Sequence, residues 1–100
     1  MIEFKEKAIQ TLDDIFNLVE SKFDNYEVDY EDENLRIDSL EGRGTFVLSI
    51  HSPTSQIWLS SPVSGAHHFK INSSESIQWI STRDTNINLK QLIIEELGRE

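Results

Sequence analysis

Carboxylates are the side chains of this sequence whose type and spacing are best suited to bind a ligand. On a helix, with about 100° between successive residues, four of these acids project within about 40° of one another: Glu6, Asp13, Glu20 and Asp24. The candidate metal ligands, called the acidic ridge below, are Glu6, Asp13, Asp14, Glu20, Asp24, Glu27 and Asp29. Carboxylate oxygens are hard ligands that suit Fe²⁺, Fe³⁺, Mn²⁺ or Ca²⁺. Because nothing in the spacing makes them converge, we expect weak binding of several ions. Charge alone favours a solvated face that confers solubility.

A tryptophan at an outward strand position is the second candidate. If Ile57 and Leu59 face the core, the alternation of a strand turns Trp58 to the opposite side. Gln56 and Ser60 then share its face. An outward tryptophan between polar residues has the composition of an interface anchor, so we predict a partner contact at Gln56, Trp58 and Ser60.

Other catalytic or metal-binding patterns are weak. Neighbouring His67 and His68 point to opposite faces of a strand, so the two rings are poorly placed to bind one ion, and surface histidines are the favoured interpretation. The pair Glu95–Glu96 is predicted to lie on a helix surface. No Ser–His–Asp order, P-loop or dinucleotide fingerprint is present. The chain has no cysteine, which excludes disulfides and thiolate ligands.

The charge is distributed unevenly along the 100 residues. Residues 1–41 hold thirteen acidic and four basic side chains, so they carry the whole net charge of −9, whereas residues 42–100 are balanced. Nucleic-acid binding is disfavoured, and cations or basic protein surfaces are the expected partners. No apolar run is long enough to span a membrane, and the N-terminal residues resemble no signal peptide.

The hydrophobic pattern predicts the elements that must position these residues. Apolar residues at helical spacing predict a helix over about 2–23, and a short closing helix runs from Leu89 to Leu97 and ends at Gly98. Five or six strands lie between them, the last over about 77–81, after a loop at 73–76. We therefore predict one domain over residues 1–100, an α+β two-layer sandwich. Both terminal helices pack on one face of an antiparallel five- to six-stranded sheet.

The decapeptide Gln56–Gly65, QIWLSSPVSG, resembles the signature of the frataxin family. Gly44–Val47 is similar to the family's glycine-threonine-tyrosine-valine strand, and Tyr26–Val28 to its first strand. Ile77–Trp79 and the closing leucine-rich helix follow in the family's order. The resemblance covers nearly the whole chain and implies the same sandwich that the periodicity predicts.

The resemblance implies a weakly iron-binding accessory protein of iron–sulfur cluster assembly, which docks on a cysteine desulfurase and its scaffold protein. It reverses the preference for a solvated face and makes the acidic ridge the expected site of Fe²⁺ or Fe³⁺. Two alternatives stay open, a ferroxidase, since that activity is attributed to eukaryotic members, and an acidic interaction module without a metal role. A monomer is expected, with iron-driven oligomerisation as the alternative.

Two segments depart from the family pattern. Ser49, Ile50 and His51 replace an asparagine-lysine-glutamine stretch, and Ala66, His67 and His68 replace a proline with basic residues. Both segments help to contact the assembly machinery in the family, so Ser49 and His68 join the predicted partner contacts, with altered strength or pH dependence. The residues of the signature resemble those of mitochondrial members, which favours a mitochondrion-type organelle as the compartment, and the bacterial cytoplasm is the alternative.

Overall fold

The computed structural model describes residues 4–71 and 78–98. Its helices and strands are α1 (Phe4–Lys22), β1 (Tyr26–Glu31), β2 (Asn34–Ser39), β3 (Thr45–His51), β4 (Gln56–Ser61), β5 (Gly65–Ile71), β6 (Trp79–Ser81) and α2 (Leu89–Leu97). The six strands form one antiparallel sheet in sequence order, so β1 and β6 are its edges. The predicted α+β sandwich is confirmed, with six strands.

Helix α1 covers the sheet with one apolar stripe. Ala8, Leu12, Ile15 and Val19 are buried at a spacing of three to four residues, while the acids between them stay exposed. Burial of this stripe stabilises the helix, since most of the stability of a helix within a protein comes from tertiary packing of its apolar face.

Alternation gives the sheet two different faces. On β3, for example, Phe46, Leu48 and Ile50 are buried, whereas the residues between them are partly exposed. The buried set from all strands packs under the helices in one core. The opposite face, called the open face below, bears no helix within the described residues.

Helix α2 closes the core at the β6 side. Its N-terminus is capped by the Asn88 side chain, which accepts hydrogen bonds from the backbone N–H groups of Lys90 (3.0 Å) and Gln91 (3.3 Å). At its other end, the Tyr26 hydroxyl donates to the Leu97 carbonyl at 3.1 Å. This bond joins the end of α2 to the first strand.

Trp79 points inward, a direction that the irregular alternation of the sequence around it does not predict. It is only 3% exposed, and its indole N–H donates to the Thr11 hydroxyl at 2.6 Å. Phe4 packs edge-on against its ring at 5.8 Å. The described part of the last strand begins at Trp79, and the predicted loop at 73–76, Ile77 and residues 2–3 lie outside the described residues. None of the described helices is long and apolar enough to cross a membrane.

Candidate functional site

The acidic ridge falls on two sides of the molecule. Its helical members are exposed on α1, and Asp24 is exposed in the turn that follows. Glu27 and Asp29 alternate with Tyr26, Val28 and Tyr30, which pack into the core, so these two carboxylates belong to the open face. Since β1 is an edge strand, the ridge continues from α1 around that edge.

Asp13 and Asp14 are adjacent in sequence but diverge in space. Asp13 shares a shallow depression with Glu6, Ile9 and Gln10 on the outer side of α1. Asp14 lines a separate cavity of about 280 Å³ between the helices, and Lys90 of α2 also lines it. Asp14 is therefore the member of the predicted set that lies apart from the helical row.

Tyr30 connects the helical part of the ridge to the sheet. Its hydroxyl donates a hydrogen bond to the Asp13 carboxylate, and its ring packs against Phe16 at 5.8 Å. Burial, and next the bond to Asp13, raise the pKa of Tyr30 to about 12. The phenol therefore stays protonated at neutral pH, and it occupies one of the lone pairs of Asp13.

Several other acids near the ridge already have partners. Asp38 accepts a hydrogen bond from the Thr45 hydroxyl at 2.5 Å and forms an ion pair with Arg36 at 3.1 Å. Both contacts lower the pKa of Asp38, and the bond from Thr45 has the larger effect. Glu33 pairs with Lys5 at 2.6 Å, which raises the pKa of Lys5. No such contact within the described residues engages Glu6, Glu20, Asp24, Glu27 or Asp29. These five carboxylates are available to cations.

The carboxylates do not form a cage. Among the described residues, no group of three or more His, Asp or Glu side chains is placed to hold one metal ion together. A cation on this surface would be bound by one or two carboxylates and by water, as Mg²⁺ and similar hard ions often are in proteins.

The open face carries an aromatic stack at its centre. Trp58 is half-buried, with His51 stacked on one side at 3.9 Å between ring centroids and His68 at 4.4 Å. The planes are tilted by only 17° and 15°. The indole N–H donates to the Gln56 side chain at 2.8 Å. Trp58 thus lies on the face that alternation predicts, and we call these three rings the histidine–tryptophan stack.

The remaining predicted partner contacts surround this stack. Ser49 lies opposite Trp58 in the strand register, and its hydroxyl donates to Asn34 at 2.8 Å. Ser49, Ser60, Ala66 and His68 line a depression of about 190 Å³ beside the indole. The structure therefore brings Gln56, Trp58, Ser60, Ser49 and His68 together on one surface.

Sequence analysis missed a second role of the signature, in the turn between β4 and β5. The hydroxyls of Ser61 and Ser64 each donate to the Glu96 carboxylate at 2.6 Å. The Ser61 hydroxyl oxygen also accepts hydrogen bonds from the backbone N–H groups of Val63 at 3.0 Å and Ser64 at 3.1 Å. The two serines thus bind the turn to α2.

Glu96 is buried, with 6% exposure, so its predicted place on the helix surface is wrong. Its neighbour Glu95 is exposed, as predicted. The signal was present in the sequence, because Glu96 follows Leu89 by seven residues and Ile93 by three and so falls on the apolar stripe of α2. Burial of its charge is balanced by the two serine hydroxyls.

The same cluster lacks the geometry of a hydrolase. Ser64 lies between Glu96 and the Nε2 atom of His67, which is 2.8 Å from its hydroxyl. In a Ser–His–Asp triad the imidazole lies between the serine and the carboxylate. Here the carboxylate does not orient the imidazole, so the cluster is structural.

Known proteins are similar to this chain in both sequence and fold. The family profile described as "Frataxin-like domain" matches residues 1–100. The mitochondrial frataxin-like protein of Leishmania donovani is 35% identical over 100 residues, which cover 86% of this chain and 52% of that protein. Arabidopsis thaliana mitochondrial frataxin is 36% identical over 100 residues, covering 95% of this chain and 52% of that protein. This chain thus spans about half the length of either relative.

A solved structure agrees with this result. Trimeric frataxin from the yeast Saccharomyces cerevisiae, complexed with ferrous iron, superposes with a TM-score of 0.73 at 26% identity. The match covers 97% of this chain and 83% of the yeast chain. The profile match, the curated relatives and the shared two-layer architecture lead to one conclusion: this chain belongs to the frataxin family.

Proposed function

We propose that this protein is an iron-binding accessory protein of iron–sulfur cluster assembly, which docks on a cysteine desulfurase and its scaffold protein. Residues 1–100 would act as one frataxin-like domain. The observation that carries the proposal is the open face, where Glu27 and Asp29 lie near one edge and Trp58 lies at the centre. A partner that covers this face would meet a cation-binding surface and an aromatic anchor together.

Iron is the proposed cargo of the acidic ridge. The five carboxylates without a partner, Glu6, Glu20, Asp24, Glu27 and Asp29, offer oxygen ligands around the β1 edge, and Asp13 retains further lone pairs beside its bond to Tyr30. Few ligands per ion and ready access of water make binding weak and release easy. The yeast frataxin complexed with ferrous iron supports this cargo. Since that protein is trimeric, we also infer that iron can shift this chain from monomer to oligomer.

The iron test is an anaerobic Fe²⁺ titration followed by NMR. Amides near Glu6, Asp13, Glu20, Asp24, Glu27 and Asp29 should broaden first. A ridge variant with Glu6→Gln, Asp13→Asn and Glu20→Gln should bind less iron. A control with Glu41→Gln, Asp84→Asn and Glu95→Gln changes the net charge equally and should bind as wild type does. Equal loss in both variants, or primary broadening at His67 and His68, would contradict the ridge as the iron site.

The docking test measures affinity for a purified desulfurase–scaffold complex from the source organism. Trp58→Ala should weaken binding about thirtyfold, as truncation of a hot-spot aromatic does. Ile94→Ala is the matched control, because Ile94 is an exposed apolar residue of α2, away from the open face. Equal effects of the two substitutions would reject docking through Trp58.

Oxygen uptake distinguishes this proposal from a ferroxidase. An accessory protein should not oxidise Fe²⁺ in amounts beyond what it binds, whereas an enzyme would turn over.

For the compartment, we propose a mitochondrion or a related organelle, since the relatives in Leishmania and Arabidopsis are named mitochondrial. Immunolocalisation in the source organism tests that placement, and a bacterial source would exclude it.

A further inference from the structure

The indole of Trp58 is enclosed by two groups that can change charge. His51 and His68 stack almost parallel on its two sides, at 3.9 and 4.4 Å between ring centroids. Histidine is the side chain whose charge ordinarily changes between about pH 5 and 8. An imidazolium over the face of an indole is held by a cation–π attraction that the neutral ring lacks. The charge state of both histidines therefore acts directly on Trp58.

The surroundings of the stack permit both charge states. The Nδ1 atom of His51 lies 2.7 Å from the Thr54 hydroxyl, which can accept a hydrogen bond from a neutral or a charged ring. Around the stack, β3 contributes Ser49 and β4 contributes Gln56 and Ser60, all neutral. On β5 the flanking residues are Ala66 and Lys70, and Lys70 lies opposite Ile80 of β6.

Charged groups farther from the stack are paired, lie at the sheet edge or are exposed in a turn, as Asp32 is between β1 and β2. Arg83, beyond β5, donates to the backbone carbonyl of Ala66 at 2.8 Å. Arg36 of β2 is one row away and is bound to Asp38, while Glu33 in the turn before β2 is bound to Lys5. Glu31, at the β1 end of the row that contains Trp58, is the nearest acid in that row. No carboxylate within the described residues therefore pairs with either imidazole of the stack.

We propose that the histidine–tryptophan stack makes docking through Trp58 depend on pH, with affinity falling as His51 and His68 become charged. This rests on the proposed docking function of Trp58. Two effects have the same sign. Cation–π attraction holds both charged rings against the indole, so a partner must displace them to contact its faces. The new positive charges also repel a basic partner, which is the kind that a chain of net charge −9 favours.

The binding experiment uses the desulfurase–scaffold complex at about pH 8 and about pH 6. Wild type should bind about five- to tenfold more weakly at the lower pH, from two cation–π contacts and the added repulsion. The double variant His51→Gln, His68→Gln keeps neutral planar side chains and should lose most of this dependence. The double variant His51→Lys, His68→Lys, charged at both pH values, should bind weakly throughout.

The comparison between variants separates this protein's histidines from groups of the partner. If wild type and the double glutamine variant show the same pH dependence, the titrating groups belong to the partner and the proposal is overturned. If the wild-type affinity does not fall at the lower pH, it is overturned as well. If instead Trp58→Ala leaves binding intact at both pH values, the proposed docking through Trp58 is rejected, and its proposed pH dependence is rejected as well.

An NMR titration tests the coupling without any partner. The indole N–H signal of Trp58 should shift with pH together with the ring signals of His51 and His68. That shift should vanish in the double glutamine variant. The buried Trp79 serves as the internal control, and its signal should stay in place. A Trp58 signal that does not respond to pH would refute the coupling of the three rings.

Discussion

Ser61 and Glu96 are 35 positions apart in the sequence, yet the Ser61 hydroxyl donates to the Glu96 carboxylate at 2.6 Å. Together with Ser64, this contact fastens the signature turn to α2. The signature thus serves two surfaces, since Trp58 faces outward from the same strand that ends in Ser61.

Removal of the buried carboxylate should destabilise the fold. Glu96→Ala leaves two serine hydroxyls without their charged acceptor and should lower the free energy of unfolding by about 2–3 kcal/mol. Glu96→Gln keeps one acceptor oxygen and should lose about 1 kcal/mol. Chemical denaturation measures both, with Glu95→Ala as the exposed control. Equal stabilities of the Glu96→Ala and Glu95→Ala variants would contradict the role of this contact.

The two tryptophans should respond in opposite ways to truncation. Trp58→Ala removes a half-buried ring from the open face and should destabilise the fold by about 1 kcal/mol or less. Trp79→Ala opens the core beside Thr11 and should lose about 3–5 kcal/mol. Denaturant unfolding of both variants tests this contrast. A large loss for Trp58→Ala would mean that its ring supports the core, and the docking surface would need reassignment.

Two glycines in the turn before β3 provide a matched pair. A Cβ atom on Gly44 would lie 2.6 Å from the Pro62 side chain, and Gly44 has a φ of +112°. Gly44→Ala should therefore destabilise by about 2–4 kcal/mol from backbone strain and overlap together. Gly42 has a φ of +77° but no neighbour within 4 Å, so Gly42→Ala should lose only about 1–2 kcal/mol. Similar losses in thermal unfolding would show that Pro62 moves aside freely.

Tyr30 should make stability depend on pH in the alkaline range. Its pKa is raised from 10 to about 12 in the folded protein. The protonated Tyr30 side chain therefore contributes its full stabilisation of the folded state below about pH 10, and this contribution is lost as pH rises toward 12. At neutral pH, Tyr30→Phe should lower the free energy of unfolding by about 1 kcal/mol, because the variant lacks the hydrogen bond to Asp13. The stability difference from wild type should shrink between about pH 10 and 12, and a difference independent of pH would contradict this.

Cations should raise the melting temperature. Thirteen acidic residues within the first 41 repel one another, so screening by salt or binding of a divalent ion favours the folded state. Millimolar Ca²⁺ or Mn²⁺ should raise the melting temperature by a few degrees. The gain should be smaller in the variant with Glu6→Gln, Asp13→Asn and Glu20→Gln. An unchanged melting temperature with these ions would count against charge repulsion in the ridge.

Local periodicity by itself determined the elements and several orientations. The stripe of α1, the buried rows of the strands and the outward side of Trp58 follow from repeats of 3.6 and 2 residues, which depend only on backbone geometry. The family followed from a ten-residue signature around that tryptophan, because a long match of this kind is specific. The sequence also showed where the negative charge is concentrated.

Tertiary structure alone decided which of these residues meet. The inward side of Trp79, where residues 79–81 are all buried, depends on the packing of β6 against α1. The divergence of Asp13 and Asp14 depends on α1 lying between β1 and α2. The stacking of His51 and His68 on Trp58 requires three strands in one register. Such contacts join distant parts of the chain, so the local patterns that reveal helices and strands carry no record of them.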